Sequence, residues 1–139
     1  MGAWGVGSLD NDGSLDWLAD FGDMGAAAAV EVLAATDESL ADGYIDSDVG
    51  CGVVVLAELL AASRGKPNPA LNDQIGEALA RHKADLLAID DLKLRTTKAL
   101  DAVLSDAETS ELYDLWEESG EFDAWAAQVR ELRARLEAA

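Results

Sequence analysis

The apolar stretch over residues 49–63 constrains the fold more than any other feature of this chain. Its large side chains go most of the way round a helix, and they are Val53, Val54, Val55, Leu56, Leu59 and Leu60. A helix that is apolar on every side has to be covered on every side by other elements. The stretch is shorter than the roughly 20 apolar residues of a membrane-spanning helix, and it contains Glu58. We therefore predict a buried central helix and no membrane span.

The remainder of the chain also favours helices over strands. Hydrophobic residues make up 50% of the chain, and most of them are Ala and Leu, which favour helices. Residue types that favour strands, such as Ile, Thr, Tyr and Phe, are scarce. The clearest amphipathic pattern comes last, with Trp125, Val129, Leu132 and Leu136 on one face of a helix. The sequence predicts an all-α fold, a single domain over residues 1–139, built as a compact bundle of about six or seven helices.

Helix caps and breakers give the predicted boundaries. The expected helices cover about residues 14–21, 26–35, 49–63, 68–82 or 72–82, 85–104, 110–118 and 125–136. Gly22 is predicted to end the first helix, and the polar residues 36–39 are predicted to end the second. Glycines at positions 2, 5 and 7 predict an extended N-terminal segment, with Trp4 packed into the bundle. We expect Trp17, Trp116 and Trp125 in the core.

Charge is distributed unevenly along the chain. The net charge is −18, and residues 1–63 contain 12 acids and no Lys or Arg. Nucleic acids and anionic membranes are bound through Lys and Arg, so we expect this chain to bind neither of them directly. A basic protein would be attracted instead, and the candidate contact residues are Asp10, Asp12, Asp16, Asp20, Asp46 and Asp48. The alternative is that the charge serves only solubility.

The sequence contains no recognisable catalytic or cofactor motif. With one Cys and one His, Cys51 and His82, it lacks the ligands of a zinc site. The acidic run that starts at Asp10 fails as a calcium loop, because the glycine position holds Leu15 and the bidentate glutamate position holds Phe21. No phosphate-binding glycine motif is present. We expect no catalytic residues, no bound metal and no cofactor. The lone cysteine and the absence of an N-terminal secretory pattern predict a cytoplasmic protein.

Glu58 is the one charged residue in the predicted central helix. A buried carboxylate is costly unless it is paired or hydrogen-bonded. It is either a general base or metal ligand, or a structural group that accepts hydrogen bonds from the N-terminal segment or from an Arg. We favour the structural interpretation.

Several segments together resemble a known bacterial family. They are MGAWGVG (1–7), DND (10–12), DWL (16–18), AEL (57–59), GKP (65–67), LWEESG (115–120) and Trp125. In this order they resemble the family called domain of unknown function 4259. The resemblance implies a bacterial, cytoplasmic, single-domain protein, and it implies no activity because the family has none established.

Three functions remain open from the sequence. The favoured hypothesis is a non-enzymatic protein-protein interaction module, such as an inhibitor or immunity protein for a basic partner. The second is a carboxylate and divalent-metal enzyme that uses Glu58 and the acids between Asp10 and Asp16. The third is a protein that mimics DNA. The sequence does not indicate an oligomeric state.

Overall fold

The computed structural model describes residues 3–139, except for the side chain of Asn72, and over this range the protein is all-helical. The seven helices are α1 (Asp12–Met24), α2 (Ala26–Asp42), α3 (Ser47–Ser63), α4 (Asn72–Leu87), α5 (Leu92–Val103), α6 (Glu111–Ser119) and α7 (Phe122–Ala138). A short 3₁₀ turn at Pro69–Leu71 precedes α4. The described residues form two isolated β-bridges but no strand. The all-α prediction is confirmed, and the helix count agrees with it.

Helix α3 lies against each of the other six helices. Its residues 50–61 are all buried. Two glycines allow neighbouring side chains to approach its backbone. A Cβ atom on Gly52 would stand 2.8 Å from Val32 and 2.9 Å from Trp17, and one on Gly50 would stand 2.9 Å from Leu112. Both glycines are therefore needed for the packing of α1, α2 and α6 on α3.

The first two helices are longer than predicted. Gly22 lies inside α1, and the helix ends at Gly25, whose φ of 62° is in the left-handed region. The expected break at residues 36–39 lies within α2. Its Thr36 is buried and donates its hydroxyl hydrogen to the carbonyl of Val32 at 2.8 Å, so this side chain is satisfied inside the helix. Gly43 then ends α2 in the left-handed conformation.

The predicted helix over residues 85–104 is divided in two. Helix α4 continues to Leu87, a turn follows, and α5 begins at Leu92. Asp91 has φ 55°, a backbone conformation that interrupts a right-handed helix. His82 lies within α4 rather than at a helix end, and its Nε2 donates to the carbonyl of Gly22 at 2.8 Å. This contact links α4 to the corner between α1 and α2.

The prediction for Trp4 is wrong. Its side chain is 63% exposed, although its backbone N–H donates to the carbonyl of Asp10 at 3.0 Å. The two residues of this segment that are buried are Ser8 and Leu9. Trp116 and Trp125 are buried as expected and stack on each other, whereas Trp17 is half-buried. Gly2, part of the predicted glycine-rich segment, lies outside the described residues.

Within the described residues, every helix is too short or too polar to cross a membrane.

Candidate functional site

Three of the predicted contact residues form a row along α1. Asp12, Asp16 and Asp20 are four residues apart, and side chains at this spacing lie one above another on the same helix face. All three are exposed. Asp23, in the last turn of α1, is exposed as well. The helix therefore has one face that is strongly negative.

The N-terminal ends of α3 and α6 lie side by side. Ile45 donates its N–H to the carbonyl of Thr109 at 2.7 Å, and Glu111 donates its N–H to the carbonyl of Ile45 at 2.9 Å. The carboxylate of Glu111 accepts the N–H of Ser47 at 2.7 Å. Asp46 caps α3 by accepting the N–H of Val49 at 3.0 Å. Acids at these positions are stabilised by the free N–H groups and the positive ends of the helix dipoles.

Asp48 connects this region to α1. A Cβ atom on Gly13, in the first turn of α1, would stand 3.5 Å from Oδ1 of Asp48. The structure thus brings the N-terminal end of α1, next to Asp12, together with the N-terminal end of α3. We call Asp12, Asp16, Asp20, Asp46 and Asp48 the acidic surface.

The phenol of Tyr44 is affected by the charge of Asp46, one residue of the acidic surface. Partial desolvation raises the pKa of its phenol, and so do the negative charges of Glu111, Asp114 and Asp46. A nearby negative charge disfavours a second negative charge, which is why these three carboxylates act in the same direction.

Asp10 differs from the other predicted contact residues. It is half-buried, and its Oδ2 accepts the N–H of Gly7 at 3.1 Å. A Cβ atom on Gly5 or on Gly7 would stand 2.6 Å from the same oxygen. One oxygen of Asp10 therefore holds the N-terminal segment in its turn, and the residue is less available to a partner than the other five.

The bases of the chain do little to neutralise the acidic surface. In the described structure, Asp37 and Glu58 are the two acids of residues 1–63 that form ion pairs, with Arg95 and Arg135. Arg133 pairs with Asp101 and Glu137, both in the second half of the chain. No residue of the acidic surface is within ion-pair distance of a described base.

Glu58 lies at the centre of a buried polar network. Its Oε1 accepts Nη2 of Arg135 at 3.0 Å, and its Oε2 accepts the hydroxyl of Ser8 at 2.7 Å and Nδ2 of Asn68 at 3.4 Å. Gln128 donates its Nε2 to Ser8 at 2.7 Å. The Glu58 side chain is 0% exposed. This network joins the N-terminal segment, α3, the turn before α4, and α7.

Two carboxylates act on the pKa of the Arg135 guanidinium. Burial lowers its pKa, but its hydrogen bonds to Glu131 and Glu58, together with the negative charges of both acids, outweigh that effect and leave the pKa raised. Ser8 and Gln128 border a cavity of about 10 Å³, which has room for about one water molecule. This arrangement supports a structural role for Glu58, since a substrate could not reach it.

The metal-enzyme alternative would require several ligands to converge. Both oxygens of Glu58 already accept hydrogen bonds from Arg135, Ser8 and Asn68. Across the residues that the structure describes, no three His, Cys, Asp or Glu side chains are grouped closely enough to hold a metal ion. Cys51 is buried, and burial is the main cause that raises its pKa to about 11. The thiol is therefore unsuited to act as a nucleophile at neutral pH.

The sequence that forms this fold matches the model of a known protein family. A family model described as Domain of unknown function (DUF4259) matches residues 2–128, which include the N-terminal segment, the row on α1, Glu58 and Gln128. The chain belongs to the DUF4259 family. No curated protein and no solved structure matches it significantly. Arg135, which pairs with Glu58, follows the matched region.

Three features of this DUF4259 chain are not apparent from its sequence. Ser8 and Gln128 gave no signal, because a polar residue near a chain end or on an amphipathic helix is ordinary. Nothing in the sequence distinguishes Glu111, one of 28 acids, as the residue that caps the backbone of α3. A groove between α1 and α4, described below, depends on the contact between two helices that the sequence does not pair.

Proposed function

We propose that this DUF4259 protein is a non-enzymatic protein-protein interaction module, of the inhibitor or immunity-protein kind, that binds a basic partner through the acidic surface. The observation that carries the proposal is the row of Asp12, Asp16 and Asp20 on one exposed face of α1, where none of the three forms an ion pair with a base that the structure describes. Exposed charges of one sign accelerate the approach of an oppositely charged protein, and salt weakens this attraction.

We also propose that the protein is bacterial and cytoplasmic and that its bundle is organised around α3. The single buried Cys51 suits a reducing compartment. The burial of residues 50–61 supports a central position for α3. A bundle packed around this helix would hold the acidic surface in one fixed geometry.

Affinity capture from a lysate of the source organism, at low and at high salt, tests the proposed function. The variant with Asp12, Asp16 and Asp20 all changed to Asn should bind the captured basic partner about tenfold more weakly, since each exposed ion pair contributes about 0.5 kcal/mol. The partner should also be released by high salt.

A charge-matched control separates this surface from net charge alone. Glu108, Glu117 and Glu118 are exposed, and changing all three to Gln removes the same amount of charge elsewhere on the molecule. This control should bind as the wild type does. Equal loss in both variants would show that only the total charge matters and would contradict the proposal.

A further inference from the structure

An open groove lies between α1 and α4. Its volume is about 320 Å³. Helix α1 contributes Leu15, Leu18, Ala19 and Gly22 to its lining, and α4 contributes Ala78 and the polar residues Gln74, Glu77 and Arg81. Leu15, Leu18 and Ala78 are half-buried, so apolar surface remains accessible along its floor. An accessible apolar groove between helices is the kind of surface that takes up an amphipathic helix.

The groove and the acidic row are neighbouring faces of α1. Successive residues of a helix are about 100° apart around its axis. Ser14 and Phe21 face the core, the next residues, Leu15 and Gly22, line the groove, and Asp16 and Asp23 come one position further on. Asp20 likewise follows Ala19. The order around α1 is therefore core, apolar groove and acids, and the groove has a negative border on its outer side.

We infer that this groove receives an amphipathic α-helix of the partner, with apolar side chains on one face and Lys or Arg on the adjacent face. The inference rests on the proposed function and names the form of the partner. Charge complementarity selects this occupant, because apolar side chains entering the groove place the flanking bases beside Asp16, Asp20 and Asp23. A basic segment without an apolar face would leave the groove empty, and an acidic helix would be repelled.

Gly22 permits a test that does not disturb the fold. Apart from its chain neighbours and the backbone of its own helix, a Cβ atom on Gly22 would meet no atom within 4 Å, and the φ of Gly22 lies outside the left-handed region. Gln has a higher helix propensity than Gly. The Gly22→Gln variant should therefore fold at least as stably as the wild type while its side chain obstructs the groove and leaves every charge in place.

Gly76 supplies the matched control. It is exposed in α4, its Cβ position is equally open, and it does not line the groove. The Gly76→Gln variant gains the same side chain on the same kind of helix surface. Thermal unfolding of both variants should give melting temperatures at or above that of the wild type.

The probe is a synthetic Leu/Lys peptide of about 14 residues, with leucines at helical spacing on one face. A second peptide has the same composition in an order without that periodicity. Fluorescence anisotropy should give an affinity for the amphipathic peptide that Gly22→Gln weakens about tenfold and Gly76→Gln leaves unchanged. The peptide without periodicity should bind more weakly and should not distinguish the two variants.

The outcomes separate this inference from the proposed function. If the Asp→Asn variant loses binding while Gly22→Gln binds as Gly76→Gln does, the groove inference is overturned and the acidic surface stands. If the Asp→Asn variant binds both peptides normally, the proposed function fails. Sedimentation of the free protein gives a further check, since a dimer that Gly22→Gln dissociates would show that a second copy of this chain occupies the groove and would also overturn the inference.

Discussion

Replacing Arg135 with Leu leaves the Glu58 carboxylate buried without its guanidinium. The acid is 0% exposed and the Arg135 side chain 15% exposed, so water replaces little of the lost interaction. Removing one partner of a buried ion pair costs about 3–5 kcal/mol. Ser8 and Asn68 still donate to Oε2, which places the expected loss near the lower end, at about 3 kcal/mol. For a chain of this length that lowers the melting temperature by roughly 10 °C.

Arg133→Leu is the matched control, two residues earlier on the same helix. Arg133 also contacts two carboxylates, Asp101 at 2.9 Å and Glu137 at 2.7 Å, but their side chains are 52% and 73% exposed. Exposed pairs contribute about 1 kcal/mol or less. Urea unfolding followed by circular dichroism gives the free energy of unfolding of both variants, and we expect Arg135→Leu to lose at least twice as much as Arg133→Leu.

A double variant shows whether the cost comes from the unpaired charge. Glu58→Leu combined with Arg135→Leu removes both charges, and the pair can be replaced by apolar groups with little net loss. The double variant should be more stable than the two single losses predict when added together. If Arg135→Leu costs no more than Arg133→Leu, or if the two single losses simply add, the reasoning about Glu58 is refuted.

The remaining predictions concern backbone geometry and the buried thiol. Gly25→Ala should lower the free energy of unfolding by about 1 kcal/mol or more, because φ is 62° and the new Cβ would stand 2.6 Å from Nδ1 of His82. Gly76→Ala should raise it by about 0.5–1 kcal/mol; thermal melts check both, and opposite signs would contradict the packing described. Cys51 should react slowly with thiol reagents at neutral pH. The native thiol keeps its proton up to a pKa of about 11, against 9.0 when unfolded, so the stability of the wild type relative to Cys51→Ala should fall by roughly 2–3 kcal/mol as pH rises through that window. A pH-independent difference would refute the shift.

Local sequence signals predicted the helices well where capping decided the boundary. Ser110 and Gly120 begin and end α6 as their residue types indicate, and Asp46 caps α3. The signals failed where packing outweighed propensity. A glycine inside a helix costs about 1 kcal/mol, yet α1 continues through Gly22 to Met24, next to the fully buried Phe21, which packs against His82. The break before α5 depends on the left-handed conformation of Asp91. An Asp within a continuous helical pattern does not predict such a conformation.

Part of the candidate site could also be predicted from the sequence. Asp16 and Asp20 fall within the helix that the sequence predicts, but Asp12 joins their face only because α1 begins at Asp12, two residues earlier than predicted. The need for a partner to Glu58 followed from its apolar neighbours, but the identity of that partner did not, because Arg135 lies 77 residues further along the chain. Only the packing of α7 on α3 brings the two together. Long-range pairs of this kind are set by topology, which single-sequence patterns do not encode.

The placement of the charges weighs against solubility as their whole purpose. Like charges without counter-charges repel and destabilise the compact state, so the row on α1 costs stability in the free protein. Solubility requires net charge, but it does not require three acids on one helix face beside an accessible apolar groove. In the described structure the arginines that form ion pairs neutralise Asp37, Glu58 and acids of the second half of the chain. An external base bound there would relieve the repulsion along α1, and a basic helix that binds this face would therefore also stabilise the fold.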